Sequence, residues 1–409
     1  MNEATRSSGN TWQVLMVTLA IQAMVAMAAL TIPAIAPAFA AQVGASVSLL
    51  GFYVALVYVG AILSSLMSGQ VLQRYGAIRL SQLGLLFCAV GLLAVLLPSL
   101  WAVALGAVLI GMGYGPITPA SSHLLIASTP PHRASLVFSI KQTGVPLGGM
   151  MAGFIAPPLT QRAGPESAIL VVAVLCLACA VLSQPLRAAH DADRKPAAPL
   201  RMAGLLGPLR LVLAQANLRR LASASFFFSG AQLCLAGYLV TYLHTELGYS
   251  LVTAGIALAV AQVGGVLGRV IWGYISDRYL GASRTLAALS FVLAISAVAT
   301  GMLGEQAPLV LTLILVTFFG ASATGWNGVY LAAVARLAPA GMAGTATGGA
   351  LSITFLGVVA VPSIFGVLSE AVGGFGVGYM LIAFPIVICG ALLLHSAPPR
   401  GDKAPAGTR

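Results

Sequence analysis

Two cations buried in apolar runs are the residues of this chain with the most chemistry to offer. Arg269 lies in the run that begins near Leu251 and closes on the turn Gly273-Tyr274-Ile275-Ser276-Asp277-Arg278, and Lys141 lies in Ser139-Ile140-Lys141-Gln142-Thr143-Gly144-Val145-Pro146. Placing either charge in hydrocarbon costs at least ~2.5 kcal/mol on insertion scales, so such groups face a cavity, a partner or a substrate. The acidic residues Glu3, Glu166, Asp191, Asp193, Glu246, Asp277, Glu305, Glu370 and Asp402 all fall at turns, tails or ends of apolar runs. Two buried cations with no buried carboxylate leave a positive interior, which an anion neutralises and a cationic drug does not. The chemistry implied is recognition: a guanidinium offers a carboxylate two parallel donors, and an ammonium supplies a point charge.

Other polar side chains within apolar runs fill out a candidate substrate site. Trp326 and Asn327, flanked by Gly325 and Gly328, are suited either to gripping an organic moiety or to plain packing. Gln22 and Gln232 occupy similar places in the first and seventh runs, where they can hydrogen-bond a ligand or each other. His123 is a candidate for proton coupling, with hydrogen-bonded packing as the alternative. A snorkelling Lys141, reaching back to the surface, is the structural alternative for that residue. For Arg269 it is pairing with Asp277 or with carbonyls at a broken helix. Cys176 and Cys179 form a CxxC inside an apolar run and read as small packing residues. No phosphate-cradling loop, nucleophile elbow or metal-spaced His/Cys cluster occurs, so neither an enzyme nor a cofactor or metal site is expected.

The elements that position these residues are membrane helices. Hydrophobic residues make up 59% of the 409-residue chain and charged ones 7%, against roughly 25% charged in a soluble domain. Most apolar runs exceed the ~18 residues that argue for a spanning helix. Twelve spans are expected, at about 13–40, 47–72, 77–97, 100–127, 134–158, 165–186, 219–244, 250–275, 283–303, 307–335, 343–369 and 375–395. With the amino terminus cytoplasmic, only Arg162 of the Lys and Arg residues falls outside, while Lys141 and Arg269 fall within spans. That asymmetry places both termini inside, and it explains a net charge of +11 without nucleic acid. Lys141 stands eight residues past Arg133, hence ~12 Å in, and Arg269 eight residues before Asp277, at similar depth.

Pro33 and Pro37 bend the first span, and Gly111, Gly113, Gly115, Pro116 and Pro119 permit close contact or unwinding in the fourth. Residues 191–217 read as a basic cytoplasmic linker whose Gly204 to Asn217 stretch suits an amphipathic helix on the inner leaflet. The halves on either side, about 1–190 and 218–409, repeat one another. Gly69 and its basic turn correspond to Gly273 and its turn, Gln22 to Gln232, and Thr129-Pro130 to Ala338-Pro339. The fold class is therefore an all-α polytopic membrane protein of two pseudo-symmetric six-helix bundles.

Twelve spans in two halves, a long central loop and the turn motif G-x-x-x-D-R after the eighth span resemble the major facilitator superfamily over essentially the whole chain. The resemblance implies alternating access, with a cytoplasmic gate at Asp277, Arg278 and Arg74. The first copy of the motif departs from the pattern, because Gln73 stands where the family has Asp. Arg269, four residues before the turn glycine, looks like the position that binds carboxylates in monocarboxylate- and oxalate-type carriers. The lysine of the eleventh span in the oxalate pattern is missing, and Lys141 is the available substitute.

The expected function is secondary active transport of small organic anions, coupled to a proton or a counter-anion, by a monomer in the lipid bilayer of a bacterial inner membrane. An exporter of drugs in exchange for protons is the alternative. Gly144-Val145-Pro146-Leu147-Gly148-Gly149 resembles the antiporter glycine-proline motif with its spacing off by one. A transporter-like sensor is the third reading.

Overall fold

The computed structural model describes residues 3–35, 38, 39, 42, 44, 50–197, 206–249, 251–305 and 307–395. Pro37, Arg201, Gly204 and Asp402 lie outside the described residues. In hydrocarbon every backbone N–H and C=O must be satisfied within the segment, so the apolar runs become helices. The first crossing is Glu3–Ala34 and stops one residue after Pro33. The second and third are Leu50–Tyr75 and Ala77–Val95. The fourth is broken at Gly115-Pro116 into Leu100–Tyr114 and Ile117–Ser128, where the glycines and prolines crowd together. The fifth begins as Ala134–Gln142 and continues into the stretch Gly144–Leu182, which Ala163 and Gly164 (φ +80°) break before the sixth. The seventh to twelfth are Ala216–Thr245, Leu251–Ile275, Ala282–Gly301, Leu309–Leu337, Ala343–Ala371 and Phe375–His395. The result is an all-α, twelve-crossing fold.

Neighbour relations in the first six crossings recur in the last six. The second packs on the fourth and the eighth on the tenth; the third packs on the fourth and the ninth on the tenth. The first pairs with the fifth as the seventh does with the eleventh. Small residues permit this closeness: a Cβ on Gly111 would sit 1.9 Å from the carbonyl oxygen of Val57 across the second–fourth contact. The linker holds to the fold at both ends. Its helix Gly207–Ala214 buries Pro208 and Val212, and Gly349 of the eleventh crossing approaches the Pro208 carbonyl too closely to admit a Cβ. The amphipathic stretch therefore lies against protein on that side.

Three carboxylates tie helix starts to distant elements. Asp191, buried in the linker, accepts hydrogen bonds from the backbone N–H of Ile78 (2.8 Å) and Arg79 (3.1 Å) at the start of the third crossing. Asp277 accepts from Ser135 and Leu136 at the start of the fifth. Glu246 accepts from Phe375 and Gly376 at the start of the twelfth. Orphan amides and a positive helix end make each site a natural place for an anionic group. Replacing such a cap costs about 1–2 kcal/mol. Asp191→Ala is expected to lower the unfolding temperature in detergent, with Asp191→Asn intermediate; an unchanged temperature for both would remove the cap from the account of stability.

Candidate functional site

Arg269 is held by backbone. Its Nε donates to the carbonyl of Thr324 in the tenth crossing (3.1 Å), and its Nη1 donates to the carbonyl of Gln142 in the fifth (2.6 Å). The second acceptor is available for a reason legible in the chain. Within a continuous helix the Gln142 carbonyl would receive the N–H of residue 146, but that residue is Pro146 and has none. The freed carbonyl is taken by a guanidinium from the other half. No carboxylate pairs with Arg269, which is 5% exposed, and its Nη2 has no hydrogen-bond partner among the described residues. The side chain lines a cavity of about 670 Å³ shared with Val145, Pro146, Gln232, Gln262 and Thr324. Ala259, Gln262 and Val266 step along the eighth crossing from Arg269 toward its start, so the cavity extends away from the end that carries Asp277.

Lys141 neither snorkels nor lines this cavity. It is 1% exposed, and its Nζ donates to Gln22 Oε1 (2.6 Å), Gln142 Oε1 (3.1 Å) and Thr118 Oγ1 (3.2 Å). An ammonium has three donors, and three neutral acceptors use them all. Gln142 therefore touches both cations, Arg269 through its main chain and Lys141 through its side chain. Gln22 Oε1 serves Lys141 and also accepts from Thr118 (3.1 Å), whereas Gln232 Oε1 accepts from Asn327 in the other half.

The end bearing the basic turns is closed across the halves. Asp277 caps the fifth crossing, Ser276 Oγ donates to Ser135 Oγ (3.1 Å), and Arg336 donates to the Pro131 carbonyl (3.1 Å) and to Ser135 Oγ (2.8 Å). Backbones meet without side chains between them, since a Cβ on Gly328 would lie 2.2 Å from Ser139 Cα. The cavity is thus sealed below Arg269 and extends away from the closed end.

Against this geometry the expected site divides. Asn327 and Gln232 stay near the cavity: Asn327 Nδ2 donates to Gln232 Oε1 (3.3 Å), and Gln232 lines the wall. Trp326 does not. It is 1% exposed, tilted against Phe228 (5.5 Å) and Tyr330 (5.3 Å), and its Nε1 donates to the Ala323 carbonyl, so it is a core residue of the second half. His123 faces the linker: its Nε2 lies 2.6 Å from Asp193 Oδ2, and the pair ties that loop to the fourth crossing. Of the gate residues Asp277 makes inter-half contacts, whereas Arg278 is exposed and Arg74 lies over the Tyr75 ring (5.5 Å). Arg336 supplies the cationic half of the closure.

Sequence reasoning passed over Gln142, Thr118, Thr324 and Arg336. Pro146, four residues after Gln142, was the available signal for the first. Tyr58 and Tyr114 were missed too; they face Phe355 of the eleventh crossing at 5.7 and 6.2 Å, and both line a small apolar pocket beside Val145.

Comparison with known proteins gives a matching picture. The family model described as Major Facilitator Superfamily matches residues 15–362. The human organic anion transporter MFSD10 (TETRAN) superposes with a TM-score of 0.75 at 18% identity, covering 94% of this chain and 99% of that one. The E. coli fucose:proton symporter FucP gives 0.74 at 16%, covering 95% and 100%. Both likenesses are of fold. An uncharacterized MFS-type transporter of Mycobacterium tuberculosis is 29% identical over 41% of this chain and 36% of its own length. The probable nitrate/nitrite transporter NarK2 of that organism is 32% identical over 43% and 44%. The chain thus spans less than half the length of these curated relatives. The twelve crossings, their internal repeat and a family match over most of the sequence lead to one conclusion: this chain belongs to the Major Facilitator Superfamily.

Proposed function

We propose that this transporter carries small organic anions, carboxylates in particular, by alternating access in a bacterial inner membrane, with both termini cytoplasmic and with a proton or counter-anion as the coupled species. The observation that carries the reading is Arg269: a guanidinium on a cavity wall, fixed by two carbonyls, with Nη2 unpartnered and no carboxylate beside it among the described residues. Anchoring Nε and one Nη1 proton leaves the far edge of the fork for a ligand. The apolar share of the lining, Leu30, Val145, Met150, Val263 and Val266, favours an organic body over a bare inorganic ion. The partial match to a protein named as a probable nitrate/nitrite transporter agrees in the sign of the charge.

In this reading the halves, about 1–190 and 218–409 joined by 191–217, rock about the cavity. The bond from Arg269 to the Gln142 carbonyl crosses between them and lies at the cavity floor. An anion arriving at Nη2 draws on the same guanidinium, so occupancy and closure share one group. Gln232 and Asn327 orient the remainder of the cargo, and the sealed end opens when the Asp277 and Arg336 contacts release.

Two substitutions separate the roles of the cations. Arg269→Ala is expected to weaken carboxylate binding at least ~100-fold, and Arg269→Lys to retain part of it, read as ligand-induced thermal stabilisation. Stabilisation by acids that persists in Arg269→Ala, or wild-type stabilisation by lipophilic cations alone, would end the anion-carrier reading. Lys141→Met leaves Gln22 and Thr118 bonded to each other and removes no cavity contact. Its carboxylate affinity is expected to stay within about tenfold of the wild type, ~1.4 kcal/mol. A loss as large as that of Arg269→Ala would make Lys141 a direct ligand.

A further inference from the structure

Among the described residues that line the cavity, Arg269 is the one cation. The three donors of Lys141 are turned into the first half, and the other polar groups on the lining, Gln232, Gln262 and Thr324, are neutral. A second carboxylate would find no charge to meet. The volume, about 670 Å³, lies in the range that accommodates drug-sized ligands. A two- or three-carbon acid would leave most of it as water against apolar walls.

The two seams between the halves differ. The second and eleventh crossings run packed together, so closely that a Cβ on Gly348 would lie 2.2 Å from the Ser65 carbonyl oxygen. On the other seam the inner segment of the fifth crossing packs on the eighth, but beyond Gly144 the two make almost no contact among the described residues. A Cβ on Gly149 would meet only Leu30, and one on Gly153 nothing within 4 Å. Side chains at this gap belong to the cavity and to the outer surface at once. Met150, Val263 and Leu267 line the cavity yet are 55%, 60% and 57% exposed. Val263 and Leu267 continue at helical spacing into Ile271, which is 52% exposed, so the stripe runs on along the bilayer-facing side of the eighth crossing.

Resting on the anion-carrier reading, we propose that the cargo is an amphipathic monocarboxylate with an extended hydrocarbon body that enters sideways from the bilayer between the fifth and eighth crossings. The carboxylate takes Nη2 of Arg269, and the body lies along Val145, Met150 and Val263. Charge complementarity at one end and an apolar trough opening onto lipid at the other define a ligand of this shape. Sideways entry spares the hydrocarbon a passage through water.

The test uses the full chain in lipid nanodiscs with straight-chain monocarboxylates of two to twelve carbons, α,ω-dicarboxylates, and alkyl alcohols and alkyltrimethylammonium ions of matched length. Affinity referred to the aqueous concentration is expected to rise about three- to fourfold per methylene until the cavity fills. Arg269→Ala abolishes this rise, and the alcohols and cations give no stabilisation. Affinity independent of length, or tighter binding of dicarboxylates, overturns the proposal while leaving anion transport in place. If no acid stabilises the protein, the anion-carrier reading itself falls. Gly153→Trp fills the gap without replacing a residue of the cavity lining, and it is expected to slow exchange of the long acids several-fold at unchanged equilibrium affinity. Unaltered exchange in that variant excludes the sideways route.

Discussion

A guanidinium held in the membrane interior by peptide carbonyls, with no carboxylate beside it among the described residues, is the constraint on which the rest of this structure turns. Arg269 must have acceptors where hydrocarbon offers none. One comes from Thr324 on its own half, and the other exists because Pro146 withholds an amide from Gln142 across the interface. The interruption between Gln142 and Gly144 leaves free the carbonyl that Arg269 uses, and that bond joins the fifth crossing to the eighth at the floor of the cavity. Gln142 then extends the network to Lys141, so the two interior cations share a residue while each is paired only with neutral oxygen.

The acids are used elsewhere. Asp191, Asp277 and Glu246 each cap the start of a helix remote in sequence, where backbone amides and the helix dipole favour negative charge. Spending the carboxylates on helix ends keeps them away from Arg269 and Lys141, which preserves the positive interior. At the closed end the two halves are joined by Asp277 and Arg336 acting on one short segment, Pro131 to Leu136. The first half has no matching carboxylate at Gln73, whose carbonyl instead accepts the Lys195 amide of the linker.

Much of this was legible in the chain. Apolar runs longer than a bilayer's width gave the crossings, and the recurrence of Gly69 and Gly273 with their basic turns gave the internal repeat. Arg269 announced itself as a charge inside such a run. What stayed hidden was facing. A lone sequence does not tell which side of a helix meets a cavity, so Trp326 read as a wall of the site when it is core, and Lys141 read as cavity or surface when it is enclosed by Gln22, Thr118 and Gln142. The pairing of His123 with Asp193 depends on where the linker folds back, and no local spacing encodes that. Arg336 looked like one more topogenic charge until the fifth crossing was seen beside it.

The acceptor that receives Arg269 across the interface is a peptide carbonyl, created by a proline rather than by an acidic side chain. A carbonyl does not titrate, and a guanidinium stays protonated throughout the range in which cells live. The clasp therefore has the same strength in acid and in neutral medium, unlike one built from an aspartate or a histidine.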